Sequence, residues 1–237
     1  MENKENLVIG VLGGMGTYAT INLFKQYAAV FPAEKEWERP RLIIDNRCTM
    51  PSRVRAFLYN ENVDELVSQM AESIGLLMNA GGEHVKILLA CNTSHLFLNA
   101  VFEKLPTAKS RIVNIIEECS SKIKNDNISE VYLLASEGTI ESGIYQKYLK
   151  EYGIKCLVPE KWEYAKLRTC IEAVKQNTFT EEVENVFIEL VNRNKNCILG
   201  CTELPVLYDL YKSRIKSNTY DPCLIALEKI KKEYYSE

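Results

Sequence analysis

Hydrophobic residues follow two patterns along the chain: short apolar runs, and longer segments with an apolar residue at every third or fourth position. Because buried parallel strands have near-continuous apolar sequences, the short runs predict strands at residues 7–12, 41–46, 87–91, 130–135, 154–158 and 197–201. The longer segments have helical periodicity and predict helices at residues 18–29, 62–80, 142–151, 162–175, 180–192 and 223–234. Strands that alternate with helices are typical of α/β proteins with parallel sheets.

The order of these elements is repeated. In each half, a strand is followed by a turn of small residues, a helix, a strand, one or more helices, and a strand that ends at a cysteine. This coarse duplication predicts two pseudo-symmetric Rossmann-like lobes with parallel sheets and an active site in the cleft between them. We assign residues 1–114 and 215–237 to the first lobe and residues 115–214 to the second.

Two cysteines stand at corresponding strand ends, Cys91 in the first half and Cys201 in the second. Ligands of parallel sheets bind outside the carboxyl ends of the strands, so we predict that both thiols face one small substrate. One thiolate could remove a proton next to a carboxylate while the opposite thiol delivers a proton to the other face of the carbon. We also expect a helix N-terminus after each cysteine to lower the pKa of its thiol.

The residues next to these cysteines are polar. We predict that Asn92, Thr93 and Thr202 donate hydrogen bonds to a substrate carboxylate, and that Glu203 orients a group or accepts from an ammonium.

Two other segments suit a small anion. The glycine-rich turn at residues 13–17 comes before a helix, where backbone N–H groups can bind a carboxylate. It lacks the third glycine of a dinucleotide fingerprint, which makes a nucleotide the weaker hypothesis. The loop after the second strand carries Arg53, whose guanidinium could hold a carboxylate with two hydrogen bonds. From position alone, a solvated surface arginine is the favoured interpretation of Arg53.

Composition excludes several classes of partner. The net charge of −3 argues against nucleic acid, and no apolar run is long enough to span a membrane. The polar start of the sequence lacks the layout of a signal peptide, so we expect a cytoplasmic protein. The sequence has 8 cysteines but no Cys-x-x-Cys pair, and its 2 histidines do not have metal-ligand spacing. We therefore expect no metal site.

Two alternatives for the cysteines stay open. Cys91 could be the nucleophile of an acyl transferase or amidase with His95 as its base, although a helix would point His95 away from the thiol's ligand. Both cysteines could instead be inert core residues, since free cysteine often behaves as a small buried hydrophobe.

Four motifs together resemble the aspartate/glutamate racemase family. They are Gly-Gly-Met-Gly at residues 13–16, Cys-Asn-Thr-Ser-His at 91–95, Gly-Thr at 138–139, and Leu-Gly-Cys-Thr-Glu-Leu-Pro at 199–205. The resemblance implies two similar α/β lobes and racemisation without cofactor, whether pyridoxal phosphate, metal or nucleotide. It also implies a small amino-acid substrate, with aspartate expected first and glutamate second, and a homodimer.

The resemblance assigns roles to individual residues. Cys91 and Cys201 fall on the family's two catalytic thiols. The other implied site residues bind substrate: Met15, Gly16, Thr17, Arg53, Asn92, Thr93, Thr139, Lys166, Thr202 and Glu203. For Arg53, the resemblance favours a carboxylate ligand over a surface arginine.

The chain departs from the family pattern at two residues. Thr17 stands where a proline is usual, and Ser52 replaces an aspartate. Family members of the aspartate type can carry a lysine for the side-chain carboxylate, and here Lys166 and Lys161 are both candidates. Two other functions remain open: a ligand-binding relative without turnover, and a cysteine isomerase that acts on a dicarboxylate such as maleate.

Overall fold

A computed structural model describes residues 7–235 of the 237-residue chain. The described chain forms two parallel sheets. The first has the strand order β2-β1-β3 and the second the order β5-β4-β6-β7. The strands are β1 Val8–Gly13, β2 Arg41–Asn46, β3 Val85–Leu89, β4 Glu130–Leu134, β5 Lys155–Leu157, β6 Asn196–Leu199 and β7 Asn218–Tyr220. The predicted α/β class with two parallel-sheet lobes is confirmed.

Eleven α-helices surround the sheets in the described part of the chain. They are α1 Thr17–Val30, α2 Arg53–Tyr59, α3 Val63–Gly81, α4 Leu98–Lys104, α5 Ile115–Asn125, α6 Glu137–Ser142, α7 Ile144–Glu151, α8 Tyr164–Gln176, α9 Glu181–Val191, α10 Leu204–Tyr211 and α11 Pro222–Tyr235. No helix within residues 7–235 combines the length and the apolar character that a membrane span needs.

The strand register brings the chemistry-bearing turns to one edge of each sheet. In the first sheet, Leu12 pairs with Leu89 and Gly13 pairs with Asn46. The glycine-rich turn, the segment that leads to α2, and the segment with Cys91 therefore leave the sheet at the same end. In the second sheet, Leu134 pairs with Leu199, so the turn before α6 lies beside Cys201.

The core joins the two lobes. One face of the first sheet packs against α3, while the other belongs to a larger apolar cluster that includes α1, α5, α11 and the second sheet. Helix α11 contacts α1 and α5. The two strand ends with cysteines are therefore held by a shared core.

The predicted elements do not include helices α2, α5 and α6 or strand β7. Helix α2 follows Pro51 and begins where Ser52 caps it, with Oγ accepting from the Arg55 backbone N–H at 3.3 Å. Helix α6 was taken as a turn, and β7 is a short polar edge strand. Because β7 pairs with β6, it belongs to the second sheet, whereas the sequence assigned residues 215–237 to the first lobe. The lobe boundaries otherwise stay a prediction.

Candidate active site

The ends of β3 and β6 meet at the junction of the two lobes. Thr202 donates its hydroxyl to the backbone carbonyl of Ala90 at 3.1 Å, and this contact is buried. Cys91 follows Ala90 and is 8% exposed, while Cys201 precedes Thr202 and is partly exposed. Burial raises the pKa of the Cys201 thiol first, and the charge of Cys91 is a further cause. The structure thus brings the two predicted thiols to one place.

Glu203 is the hydrogen-bond partner of Cys201. The Cys201 thiol donates a hydrogen bond to Oε2 of Glu203 at 2.9 Å, and Glu203 is only 2% exposed. Burial, the charge of Glu203 and this hydrogen bond together raise the pKa of Cys201 well above its usual value. The prediction that a helix N-terminus lowers this pKa is wrong, because burial and the carboxylate of Glu203 raise it.

The other oxygen of Glu203 faces the first turn. Oε1 is buried and has no hydrogen-bond partner in the described chain. A Cβ at Gly16 would collide with Oε1, so the backbone of the turn approaches Glu203 closely only because residue 16 is glycine. Oε1 is available to a cation that enters here, such as a substrate ammonium.

Lys175 on α8 belongs to the electrostatics of this site, which the sequence did not indicate. Burial acts to lower the pKa of Lys175, but the hydrogen bond to Glu172 and the negative charge of Glu203 raise it overall. Lys175 lies near the end of an ordinary amphipathic helix. Nothing in that pattern indicates an active-site role.

Asn92 offers a fixed donor. Its Oδ1 accepts a hydrogen bond from the Tyr145 hydroxyl at 2.6 Å, and its Nδ2 is buried without a partner among the described residues. Burial raises the pKa of Tyr145, so the phenol keeps its proton and donates. The contact turns the amide so that Nδ2 is free for a substrate. Tyr145 was not predicted, because a buried aromatic residue on a helix reads as core.

Three hydroxyls form a cluster across the lobes. Thr93 Oγ1 lies 2.8 Å from Thr139 Oγ1 and 2.9 Å from Ser136 Oγ, and the last two are 3.1 Å apart. Thr93 lies in a 3-10 helix after β3, and Thr139 lies on α6. Ser136 was not predicted, although it occupies the small-residue turn after β4.

Arg53, the first residue of α2, is held against the glycine-rich turn. Its Nη2 donates to the Met15 carbonyl at 2.6 Å and its Nη1 to the Pro51 carbonyl at 3.2 Å. Its Nε is buried and has no partner within residues 7–235. Arg53 is therefore not a solvated surface arginine, and its Nε is a charged donor that remains available.

The other residues of the first turn differ in burial. Met15 is buried at 4% exposure, and its backbone contributes the acceptor for Arg53. Thr17 lies at an exposed rim, where its hydroxyl is 3.3 Å from the Cys48 sulfur and accepts from Asn46 at 3.4 Å.

The structure does not bring Lys166 or Lys161 to the site. Lys166 Nζ is 3.7 Å from Glu189 on α9 and lies over the Trp162 ring, and Lys161 Nζ is 3.6 Å from Glu141. The stripe of α8 that faces the cleft has helical spacing. It consists of Tyr164, Leu167, Arg168, Ile171, Glu172 and Lys175. Lys166 is off this stripe, and this corrects the prediction from sequence.

His95 is not placed to activate Cys91. Its Nδ1 is 3.0 Å from the backbone carbonyl oxygen of Cys91 rather than from the sulfur. Burial lowers the pKa of His95 to about 4, so the ring is neutral. The acyl transferase alternative needs a base in contact with the thiol, and the geometry does not support it.

Most of the remaining cysteines lie in the core. Cys119, Cys170, Cys197 and Cys223 are buried, and burial raises the pKa of Cys170 to about 12. Within residues 7–235, no group of three or more His, Cys, Asp or Glu side chains is arranged to hold a metal ion.

A cavity of about 460 Å³ adjoins the site between α2 and α8; we call it the side pocket. Its lining residues are Ser52, Val54, Arg55, Leu58, Tyr59, Ala135, Ser136, Glu137, Tyr164, Leu167, Arg168, Ile171, Glu172 and Lys175. It shares Ser136 with the hydroxyl cluster. It also shares Lys175 with the surroundings of Cys201.

The chain is similar in sequence and in fold to known amino-acid racemases. A broad specificity amino-acid racemase, RacX, from Bacillus subtilis is 26% identical over 227 residues, which cover 92% of this chain and 94% of that protein. The aspartate racemase of Picrophilus torridus superposes with a TM-score of 0.79 at 26% identity, over 96% of this chain and 97% of that one. The glutamate racemase of Francisella tularensis in complex with D-glutamate shares the fold, with a TM-score of 0.68 at 20% identity over 98% and 82% of the chains.

The model of the Asp/Glu/hydantoin racemase family matches residues 12–230. This match covers nearly the whole chain, so the resemblance inferred from the four motifs is confirmed: the chain belongs to the Asp/Glu/hydantoin racemase family.

Proposed function

We propose that the protein is a cofactor-independent amino-acid racemase that inverts Cα by two-base proton transfer between Cys91 and Cys201. The observation that carries this proposal is the meeting of two strand-end thiols, one from each lobe, at a junction with unpartnered polar atoms around it. A two-base inversion needs an acid and a base on opposite faces of one carbon, and a duplicated fold supplies two matching positions.

The unpartnered atoms match the groups that all amino acids share. Asn92 Nδ2 and Arg53 Nε are buried donors without partners in the described chain, and both suit the substrate carboxylate. Thr93 and Thr139 add hydroxyls beside them. Thr202 was predicted to donate to the substrate carboxylate, but its hydroxyl donates to the Ala90 carbonyl instead and fixes the lobe junction. Glu203 Oε1 is a buried acceptor that suits the substrate ammonium. Met15 and Gly16 shape the turn, and Thr17 lies at its rim.

The proposed cycle begins with Cys201 as the acid. Its pKa is raised by burial and by Glu203, so Cys201 holds a proton while Cys91 acts as the base. Cys91 removes the Cα proton, the carboxylate ligands stabilise the developing negative charge, and Cys201 delivers its proton to the opposite face. The substrate ammonium at Glu203 offsets the carboxylate charge, which makes the reverse cycle, with Cys201 as the base, accessible.

Aspartate and glutamate are the first substrates to try, because the solved racemases described above carry those names. The relative RacX is named for broad specificity, so the panel must extend beyond them. Cytoplasmic location and a homodimer stay predictions. Light scattering in solution tests the oligomeric state.

The test follows deuterium incorporation at Cα in D₂O by NMR, with chiral chromatography of the product. Both enantiomers of a substrate should exchange, and Cys91→Ser and Cys201→Ser should each abolish racemisation. Cys156→Ser, at a half-buried cysteine on β5, is the matched control and should keep activity. Racemisation that persists in either strand-end mutant would rule out the two-base mechanism.

The same assay separates the alternatives. Ligand-dependent thermal stabilisation by amino acids with no Cα exchange would indicate a binding protein without turnover. Conversion of maleate without amino-acid exchange would indicate a dicarboxylate isomerase.

A further inference from the structure

The side pocket has no role in the proposed chemistry at Cα, although it adjoins the reaction centre. Neither thiol lines it, but it contains Ser136, whose hydroxyl is 2.9 Å from Thr93, and Lys175, whose pKa responds to Cys201 and Glu203. A substrate held at Cα between the thiols has one substituent left, its side chain. The side pocket is the described cavity next to that position.

Each cation of the side pocket already has a carboxylate partner. Arg55 makes two hydrogen bonds of 2.6 Å to Glu61, Arg168 pairs with Glu137, and Lys175 donates to Glu172 at 2.8 Å. These three pairs bring equal numbers of positive and negative charges. A substrate carboxylate would therefore meet cations whose charge is already offset, with Glu137 and Glu172 in the same lining, so the pocket offers it little net attraction.

The segment at residues 160–166 presents a phenol to the pocket instead of an amine. Tyr164 is its only member among the lining residues, and its hydroxyl donates to Glu141 at 3.0 Å. The nearby Lys161 and Lys166 are paired with Glu141 and Glu189 outside the lining.

The rest of the lining is suited to apolar groups. Val54 and Leu58 come from α2, and Leu167 and Ile171 come from α8. A volume of about 460 Å³ corresponds to roughly fifteen water molecules at ~30 Å³ each. The four heavy atoms of an aspartate side chain would leave most of that volume unfilled and would bury little apolar surface.

We propose that the preferred substrate is an amino acid with a long or bulky side chain that has an apolar stem and no carboxylate, and that the side pocket binds this side chain. The inference rests on the proposed racemase function. The apolar stem of the substrate side chain then lies between Leu58 of α2 and Leu167 and Ile171 of α8. The end of that side chain meets the paired charges of the side pocket.

The experiment measures Cα deuterium exchange by the wild-type protein for L-leucine, L-methionine, L-lysine, L-aspartate and L-glutamate. We expect kcat/KM for at least one of the first three to exceed the values for both acidic amino acids by tenfold or more. Leucine and methionine test a fully apolar side chain, and lysine tests an apolar stem with a cationic end. A higher kcat/KM for aspartate or glutamate would overturn the inference but not the proposed function. Exchange with none of the five would instead count against the proposed function.

A pocket-filling variant locates the effect. Leu58→Trp should lower kcat/KM for the preferred large substrate by tenfold or more and change that for alanine by less than twofold. The matched control is Phe57→Trp, at the neighbouring position of α2, which is 38% exposed and does not line the pocket. Equal losses for both substrates in Leu58→Trp would mean that the side chain binds elsewhere. The wild-type panel decides the inference even if this variant fails to fold.

Discussion

The two strand ends occupy equivalent places in the fold but have different surroundings. The residues that follow Cys91 are uncharged: the amide of Asn92, the hydroxyl of Thr93 and a neutral His95 bonded to backbone. Charged groups lie beside Cys201, where Glu203 accepts a hydrogen bond from the thiol and Lys175 is coupled to both residues electrostatically. Duplication thus supplies two matched positions, and in the proposed mechanism the local charge assigns the acid role to Cys201.

The largest expected effect separates the two thiols. Cys91→Ser and Cys201→Ser should each abolish racemisation, because inversion needs both groups and the loss of one general acid or base alone costs about 10²–10⁴-fold in rate. Because only one base remains, Cys201→Ser should still exchange the Cα proton of one enantiomer without inverting it. Exchange of both enantiomers by this variant, measured by NMR in D₂O, would contradict the assignment of one face to each thiol.

The next effect concerns the charge at Cys201. Glu203→Gln removes a negative charge and an acceptor that raise the pKa of the thiol, so this pKa should fall. The alkaline limb of the kcat/KM profile, where the acid loses its proton, should move to lower pH by roughly one unit. Glu189→Gln, at a surface ion pair with Lys166, is the control and should leave the profile in place. An unshifted profile in Glu203→Gln would show that Glu203 does not set the protonation of Cys201.

A smaller effect is expected where Tyr145 orients Asn92. Tyr145→Phe removes the 2.6 Å hydrogen bond to Oδ1 and leaves the amide free to turn. We expect KM to rise about tenfold, which is the equivalent of ~1.4 kcal/mol, with a smaller change in kcat. Tyr148→Phe, whose hydroxyl accepts from Asn114, is the matched control. A variant with an unchanged KM would indicate that Asn92 is held by its other contacts.

The smallest effect concerns stability near Arg53. Ser52→Ala removes the side-chain cap of α2 and should cost about 1 kcal/mol, which lowers Tm by roughly 2–4 °C in a chain of this size. Ser68→Ala, within α3, should change Tm less. An equal effect of the two substitutions on the melting curve would show that the cap contributes nothing.

The sequence predicts those parts of the site that depend on strand ends. Cys91, Asn92, Thr93, Cys201 and Thr202 follow directly from where apolar runs stop, because parallel strands bring their carboxyl ends to one edge.

The site residues that the sequence did not predict are placed there by tertiary contacts. Tyr145, Ser136 and Lys175 reach the site from helices or turns whose own pattern reads as core, turn or surface. The sequence suggested an exposed Arg53, because the carbonyl of Met15 that holds its guanidinium lies far away along the chain. The prediction for Lys166 was wrong because the periodicity of α8 does not show which of its faces packs toward the cleft.

The most direct test of the account uses the wild-type protein and one pure enantiomer in D₂O. Chiral separation with mass spectrometry at early conversion measures deuterium in the product and in the remaining substrate. In the proposed mechanism Cys91 removes the proton and Cys201 delivers another from the solvent, so the product should carry one deuterium at Cα while the remaining substrate stays unlabelled. Product that retains the original hydrogen would mean that a single base carries it across, and would contradict the two-thiol mechanism.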